Sequence, residues 1–193
     1  DDLVLADPEG KVLETLFSYP GRAAFRWDLA GRRIAVAVAP EGHGAFTLLE
    51  LLRPGGGPPK TIFEGTFLCF DWLPDGGGLV LCQAEAHSGR LRWLHVELGG
   101  KVRPLGSPWI PARETVVALH FFEQIGPSHP HLSADGRHLV HTGWSEEGST
   151  PPSRGPVPLV QLGEEEPARI LLTPLDGGPV LTLGPGRFAC FAP

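Results

Sequence analysis

The chain contains no methionine among its 193 residues. A complete translation product starts with one, so the expectation is that a leader was removed or that this is an excised piece of a longer protein. No apolar run approaches the ~20 residues needed to span a bilayer, and no signal-peptide pattern stands at Asp1. No membrane span is expected, and cytoplasmic and exported locations both stay open. Three cysteines are too few for a disulfide framework. Cys69 and Cys82 fall on the two arms of one expected hairpin, where they are either two small buried side chains or a cross-strand disulfide. Basic charge is scarce too. The formal net charge is −6, and Arg32, Arg33, Arg90, Arg92 and Arg103 are scattered rather than striped, which argues against nucleic acid as a partner.

Catalytic signatures are equally sparse. There is no Gly-x-Ser-x-Gly elbow, and Ser128 beside His129 is adjacency in sequence, not triad geometry. Gly55-Gly56-Gly57-Pro58-Pro59 lacks the lysine-serine tail of a phosphate loop, so no cofactor is implied. Helical periodicity is almost missing. The best helical stretch, Arg113 to Gln124, also reads as a strand through Val116-Val117-Ala118-Leu119.

What the chain has in plenty is punctuation. Its 26 glycines and 21 prolines lie between apolar runs rather than in blocks, as expected for many short strands joined by turns. A phrase recurs in four copies: Phe25-Arg26-Trp27-Asp28-Leu29-Ala30-Gly31, Phe70-Asp71-Trp72-Leu73-Pro74-Asp75-Gly76, Pro130-His131-Leu132-Ser133-Ala134-Asp135-Gly136, and a truncated Phe188-Ala189-Cys190-Phe191-Ala192-Pro193. Aligned on the turn, Trp27, Trp72, Leu132 and Phe191 share one column, spaced by 45, 60 and 59 residues. A strand follows each of the first three turns: Ile34-Val38, Leu79-Cys82 and Leu139-Thr142. A second phrase, strand then Gly-rich turn then short strand, begins at Leu3, Leu48, Trp93 and Ile170. One period is therefore four antiparallel strands. Repeats of this kind at roughly 40–60 residues predict an all-β chain, a β-propeller with about four blades represented.

The Trp-x-Pro-Asp-Gly hairpin with a following Leu-Asp-Gly-Gly (Leu175 to Gly178) resembles the WD-like repeat of TolB-type β-propellers. The same repeat occurs in the propeller domains of prolyl-oligopeptidase-type and tricorn-type proteases. Asp28-Leu29-Ala30-Gly31 lacks the Pro-Asp and Ser133-Ala134-Asp135-Gly136 lacks the proline. Read this way, residues 1–193 form one propeller domain with blades near 1–22 plus 188–193, 23–65, 66–106 and 128–187. Inserts fall at about 106–128 and 145–168. The terminal strand either closes a four-bladed ring by pairing with the N-terminal strands, or the chain is a fragment of a larger propeller.

His129, His131, His138 and His141 form the one dense group of reactive side chains. His138 and His141 have opposite parity along a strand and are expected on opposite faces, whereas His129 and His131 share one, so no metal site is assigned. Glu164-Glu165-Glu166 reads as a solvated loop tip. Loops on rigid scaffolds are where binding resides, so the candidate partner-binding residues are Trp109, Phe121, Phe122, His129, His131 and Trp144. The resemblance implies a non-catalytic binding or scaffold domain that takes a protein or peptide at the propeller face. Its alternative is the gating propeller of a prolyl-oligopeptidase-like serine peptidase whose catalytic domain lies outside the chain.

Overall fold

The computed structural model describes residues 1–86, 88–126, 128–145 and 167–192, so most of the second insert, with Glu164-Glu165-Glu166, lies outside the described residues. Strands β1 (Asp2–Ala6) and β2 (Val12–Ser18) form a hairpin of their own. The other strands form a single antiparallel meander in chain order: β3 (Arg22–Trp27), β4 (Ile34–Ala39), β5 (Phe46–Leu52), β6 (Lys60–Trp72), β7 (Gly78–Ala84), β8 (Leu91–Glu97), β9 (Val102–Pro111), β10 (His138–Ser145), β11 (Arg169–Pro174) and β12 (Leu181–Pro185). The sheet is not closed: β3 and β12 are its two ends. No strand from 188–192 joins the β1–β2 hairpin; instead the Phe191 amide donates to the Pro130 carbonyl at 2.8 Å.

Two strands of the meander change partner along their length. Residues 60–64 of β6 pair with β5 and residues 69–72 with β7, while Phe67 between them pairs with both, opposite Phe46 and Gln83. The change of partner falls beside Gly65, whose φ of 149° no side-chain-bearing residue adopts comfortably. β9 repeats the device. Residues 102–105 pair with β8 and residues 110–111 with β10, Trp109 pairs with both, and Gly106, with φ 66°, stands in the irregular stretch between. The last strand of one repeat thus runs on as the first strand of the next. In the third repeat that first strand shrinks to one bridge, Leu132 to Leu139.

β4 shows why strand alternation builds two cores. Ala35, Ala37 and Ala39 face the main cluster, and Ile34, Val36 and Val38 face the other way, where Leu3, Leu16 and Phe17 of the hairpin cover them. Small side chains on one face let the main core close tightly, and branched ones on the other receive the hairpin.

The stretch 113–125 is helical, not a strand: α1 (Arg113–His120) and α2 (Phe122–Ile125). Thr115, Ala118, Leu119 and Phe122 are buried while Val117 is exposed, and that spacing is helical. The β-branched pair Val116-Val117 favours a strand locally, but the tertiary contacts of the helical face outweigh it. The first insert is also shorter than its expected span, because Trp109 and Ile110 sit in β9, opposite Ser145 and Trp144 of β10.

The repeated turns touch one another. Asp28, buried at the end of β3, accepts from the Arg32 amide at 2.7 Å, the Arg33 amide at 3.3 Å and Arg33 Nε at 2.8 Å. Burial alone pushes its carboxyl up, but the Arg33 guanidinium and these amides overcome that and hold it below the ordinary carboxylate range. Arg33 then reaches the next repeat, donating to the Gly76 carbonyl at 2.8 Å and lying over the Trp72 ring at 5.2 Å. Gly136 of the third repeat presses on Pro74 of the second so closely that an added Cβ would stand 2.7 Å from the proline ring. Asp28→Ala removes the acceptor shared by the Arg32 and Arg33 amides and the Arg33 guanidinium, so it is expected to cost about 2 kcal/mol in a urea titration, the middle of the range for a polar group left without its partner. A loss of a few tenths would mean that Asp28 does not organise this turn.

The column aligned on the turn is not uniform. Trp72 is 5% exposed and Leu132 is buried, yet Trp27 is 40% exposed. Trp27 lies on β3, at the end of the sheet, where no preceding repeat covers it.

Candidate binding pocket

A cavity of about 20 Å³ opens where three repeats and the helical insert converge. Each contributes a polar group from the strand or segment nearest the junction: Arg26 from β3, Asp71 from β6, and His129 and His131 from the residues leading to β10. Phe70 of β6 and Phe122 of α2 form the apolar wall.

Alternation along β3 explains why the arginines face this way. Arg22, Ala24 and Arg26 share the inner face, and Phe25 and Trp27 share the outer one. Both arginines grip the insert. Arg22 donates to Glu123 Oε1 at 3.2 Å and to the Gly44 carbonyl at 3.0 Å, with its guanidinium 4.6 Å from the centre of the Phe46 ring. Arg26 donates to the Phe122 carbonyl at 3.4 Å and lies 3.6 Å from Asp71 Oδ1. Phe122 packs edge-on against Phe46 and Phe70, with centroids 5.7 and 5.3 Å away. Gly126 has no room for a side chain, because a Cβ there would meet Arg26 and the Phe122 carbonyl.

Burial sets the protonation of the pocket. Asp71 is pushed above the usual carboxylate range by desolvation, against the opposing pull of Arg26 and the Trp72 amide. His131 is pushed down, first by burial and further by His129, although a hydrogen bond to the Val140 carbonyl at 3.0 Å opposes the shift. With a carbonyl as its partner, His131 Nδ1 carries the proton and donates. Behind them lies His141, fully buried. Its Nδ1 accepts from Trp93 Nε1 at 3.1 Å, and the Trp109 ring lies over it with centroids 4.0 Å apart. Burial, with His131 nearby, lowers its pKa to about 3, so it is a neutral acceptor throughout the physiological range.

The sequence-derived binding residues therefore separate. His129 is exposed at the pocket mouth, with Nδ1 2.8 Å from Ser128 Oγ, and its ring meets Phe188 at 5.8 Å. His131 lies deeper and also touches Phe188. Phe121 is 44% exposed beside the pocket wall, whereas Phe122 is part of that wall. Trp109 is buried against His141, and Trp144 is half-buried on β10, paired with Ile110. Sequence reasoning missed Arg26 and Asp71. Their signal lay within the repeated phrase itself, where Arg26 and Asp71 each precede the aligned tryptophan. Among the described residues, no three His, Cys, Asp or Glu side chains are grouped to hold a metal ion, and no helix is long and apolar enough to cross a membrane.

No family model matches the chain, and no curated protein sequence matches it. The comparison with solved structures does find likeness. The crystal structure of TolB from Acinetobacter baumannii superposes with a TM-score of 0.52 at 14% identity, covering 92% of this chain and 36% of the other. The chain thus spans about a third of that protein's length, and at this identity the likeness is one of fold: an all-β, antiparallel arrangement similar to that of TolB.

Proposed function

We propose that the chain is a β-propeller-type, TolB-like binding or scaffold module that docks a protein or peptide at the pocket between its repeats. The observation that carries this reading is the convergence of Arg26, Asp71, His129 and His131 on one recess with an apolar wall. Concave apolar sites with a few fixed polar groups are where ligands bind. The chemistry of the recess favours recognition over catalysis. Arg26 and Asp71 offset each other's charge, and the hydrogen-bonded Nδ1 of His131 is spoken for by a backbone carbonyl. His129 at the pocket mouth and Phe121, next in the chain to the wall residue Phe122, are both exposed and can supply contact area, and aromatic side chains dominate interface energetics.

The test uses a random peptide library displayed on phage, with the intact chain as bait. Peptides that enrich are synthesised and measured by calorimetry against the parent chain, Phe121→Ala and His129→Ala. At least one of these substitutions is expected to weaken binding about tenfold, equivalent to about 1.4 kcal/mol. Failure to enrich any peptide, or enriched peptides indifferent to both substitutions, would overturn the reading.

A further inference from the structure

We propose that Cys69 and Cys82 form a paired oxidation site: a small peroxide in the pocket oxidises Cys69, and Cys82 resolves the product into a cross-strand disulfide. The two residues are direct partners in the β6–β7 register. The Leu73 amide donates to the Gly78 carbonyl across the closing turn. Counting back by twos through Asp71 and Val80, Cys69 and Cys82 also fall at a hydrogen-bonded position of the ladder. Facing Cα atoms at such a position stand ~5.5 Å apart, within the ~4.4–6.8 Å that a disulfide spans. Cross-strand partners project from the same face of the sheet, and the Cys82 and Cys69 thiols lie within hydrogen-bonding reach of each other. Both are buried free thiols, and the Cys82 thiol is pushed up by burial and by its Cys69 neighbour.

Access distinguishes the two. Cys69 lines the pocket and Cys82 does not. The cavity of about 20 Å³ exceeds the ~10–15 Å³ that one water requires, leaving space for a molecule as small as hydrogen peroxide. The Cys69 thiolate attacks one peroxide oxygen and the O–O bond breaks. The departing hydroxide takes up a proton, leaving a sulfenic acid and one water. The Cys82 sulfur then attacks the Cys69 sulfur, and the S–O bond breaks. The hydroxide leaves with the Cys82 proton as a second water. Two thiols are oxidised and one peroxide is reduced.

Cys190 is exposed and serves as an internal comparison in the native chain. For the test, folded chain carrying Cys190→Ser is treated with hydrogen peroxide and digested without reduction. Peptides containing Cys69 and Cys82 are expected joined, two hydrogens lighter, in more than half of the molecules, and separate again after dithiothreitol. In a Cys82→Ser chain, dimedone is expected to trap the sulfenic acid on Cys69. Cys69 left unmodified under conditions that oxidise Cys190 in the native chain would overturn the proposal. So would conversion of Cys69 to sulfinic acid while Cys82 stays free.

Discussion

Replacing Trp72 with alanine is expected to cost about 3–5 kcal/mol, the range for deleting a large aromatic side chain from a core. Three losses coincide at this position. The ring, 5% exposed, leaves a void in the main core. Its Nε1–H gives up a 2.9 Å hydrogen bond to the Arg26 carbonyl, on the preceding repeat. The Arg33 guanidinium loses the aromatic face beneath it and with it part of what orients the Asp28 turn. Trp72→Phe separates these effects in part, since it keeps an aromatic ring but removes the donor and some ring volume, for about 1–2 kcal/mol. Guanidinium denaturation of both variants checks the ranking. A Trp72→Ala loss below about 1 kcal/mol would mean that the aligned column does not carry the core.

Acid is expected to destabilise the fold well above the pH at which carboxylates titrate, and His141 is the main cause. Its folded pKa, about 3, lies below the ordinary value of 6.5. Between those limits the unfolded chain binds a proton that the folded chain refuses, so the stability His141 contributes is complete above pH 6.5 and drains away as pH falls toward 3. At about 1.4 kcal/mol per pH unit, roughly 3 kcal/mol is gone by pH 4. His131 and His95 are also pushed down by burial and act in the same direction. Asp71, pushed up, opposes them once pH approaches the carboxylate range, while Asp28, held down, adds a further loss below its ordinary 3.8. His141→Asn places an acceptor near the position of Nδ1 for Trp93 and removes the titration. Denaturation midpoints from pH 7.5 to 4 are expected to show a slope smaller by about one proton in that variant. An unchanged slope would place the acid sensitivity elsewhere.

Strands were legible because alternation and turn residues are local signals. Pro74-Asp75-Gly76-Gly77 announces a hairpin without reference to the rest of the chain, and the meander follows from hairpins in series. The helical insert was not legible in the same way, since Val116-Val117 favours extension and only contacts with Thr142 and the phenylalanine cluster decide the matter. The pocket was half legible. His129 and His131 stood out as a group, whereas Arg26 and Asp71 shared only a position in the repeated phrase, and their contact forms once neighbouring repeats are packed. The same limit hid the pairing of His141 with Trp93, which joins residues 48 apart. Trp27 shows the converse. Its place in the repeat matched Trp72, but a residue is buried by its neighbours, and β3 has a neighbour on one side.

The change of partner within β6 and β9 bears on how the chain can be taken apart. In most tandem arrays a border is a loop, and a repeat can be excised there. Here the borders at Gly65 and Gly106 fall inside continuous strands, so any cut that isolates one period severs a ladder and leaves raw strand ends on both pieces. The period of the sequence is therefore not a period of autonomy, and the smallest piece able to fold is larger than the smallest piece that repeats.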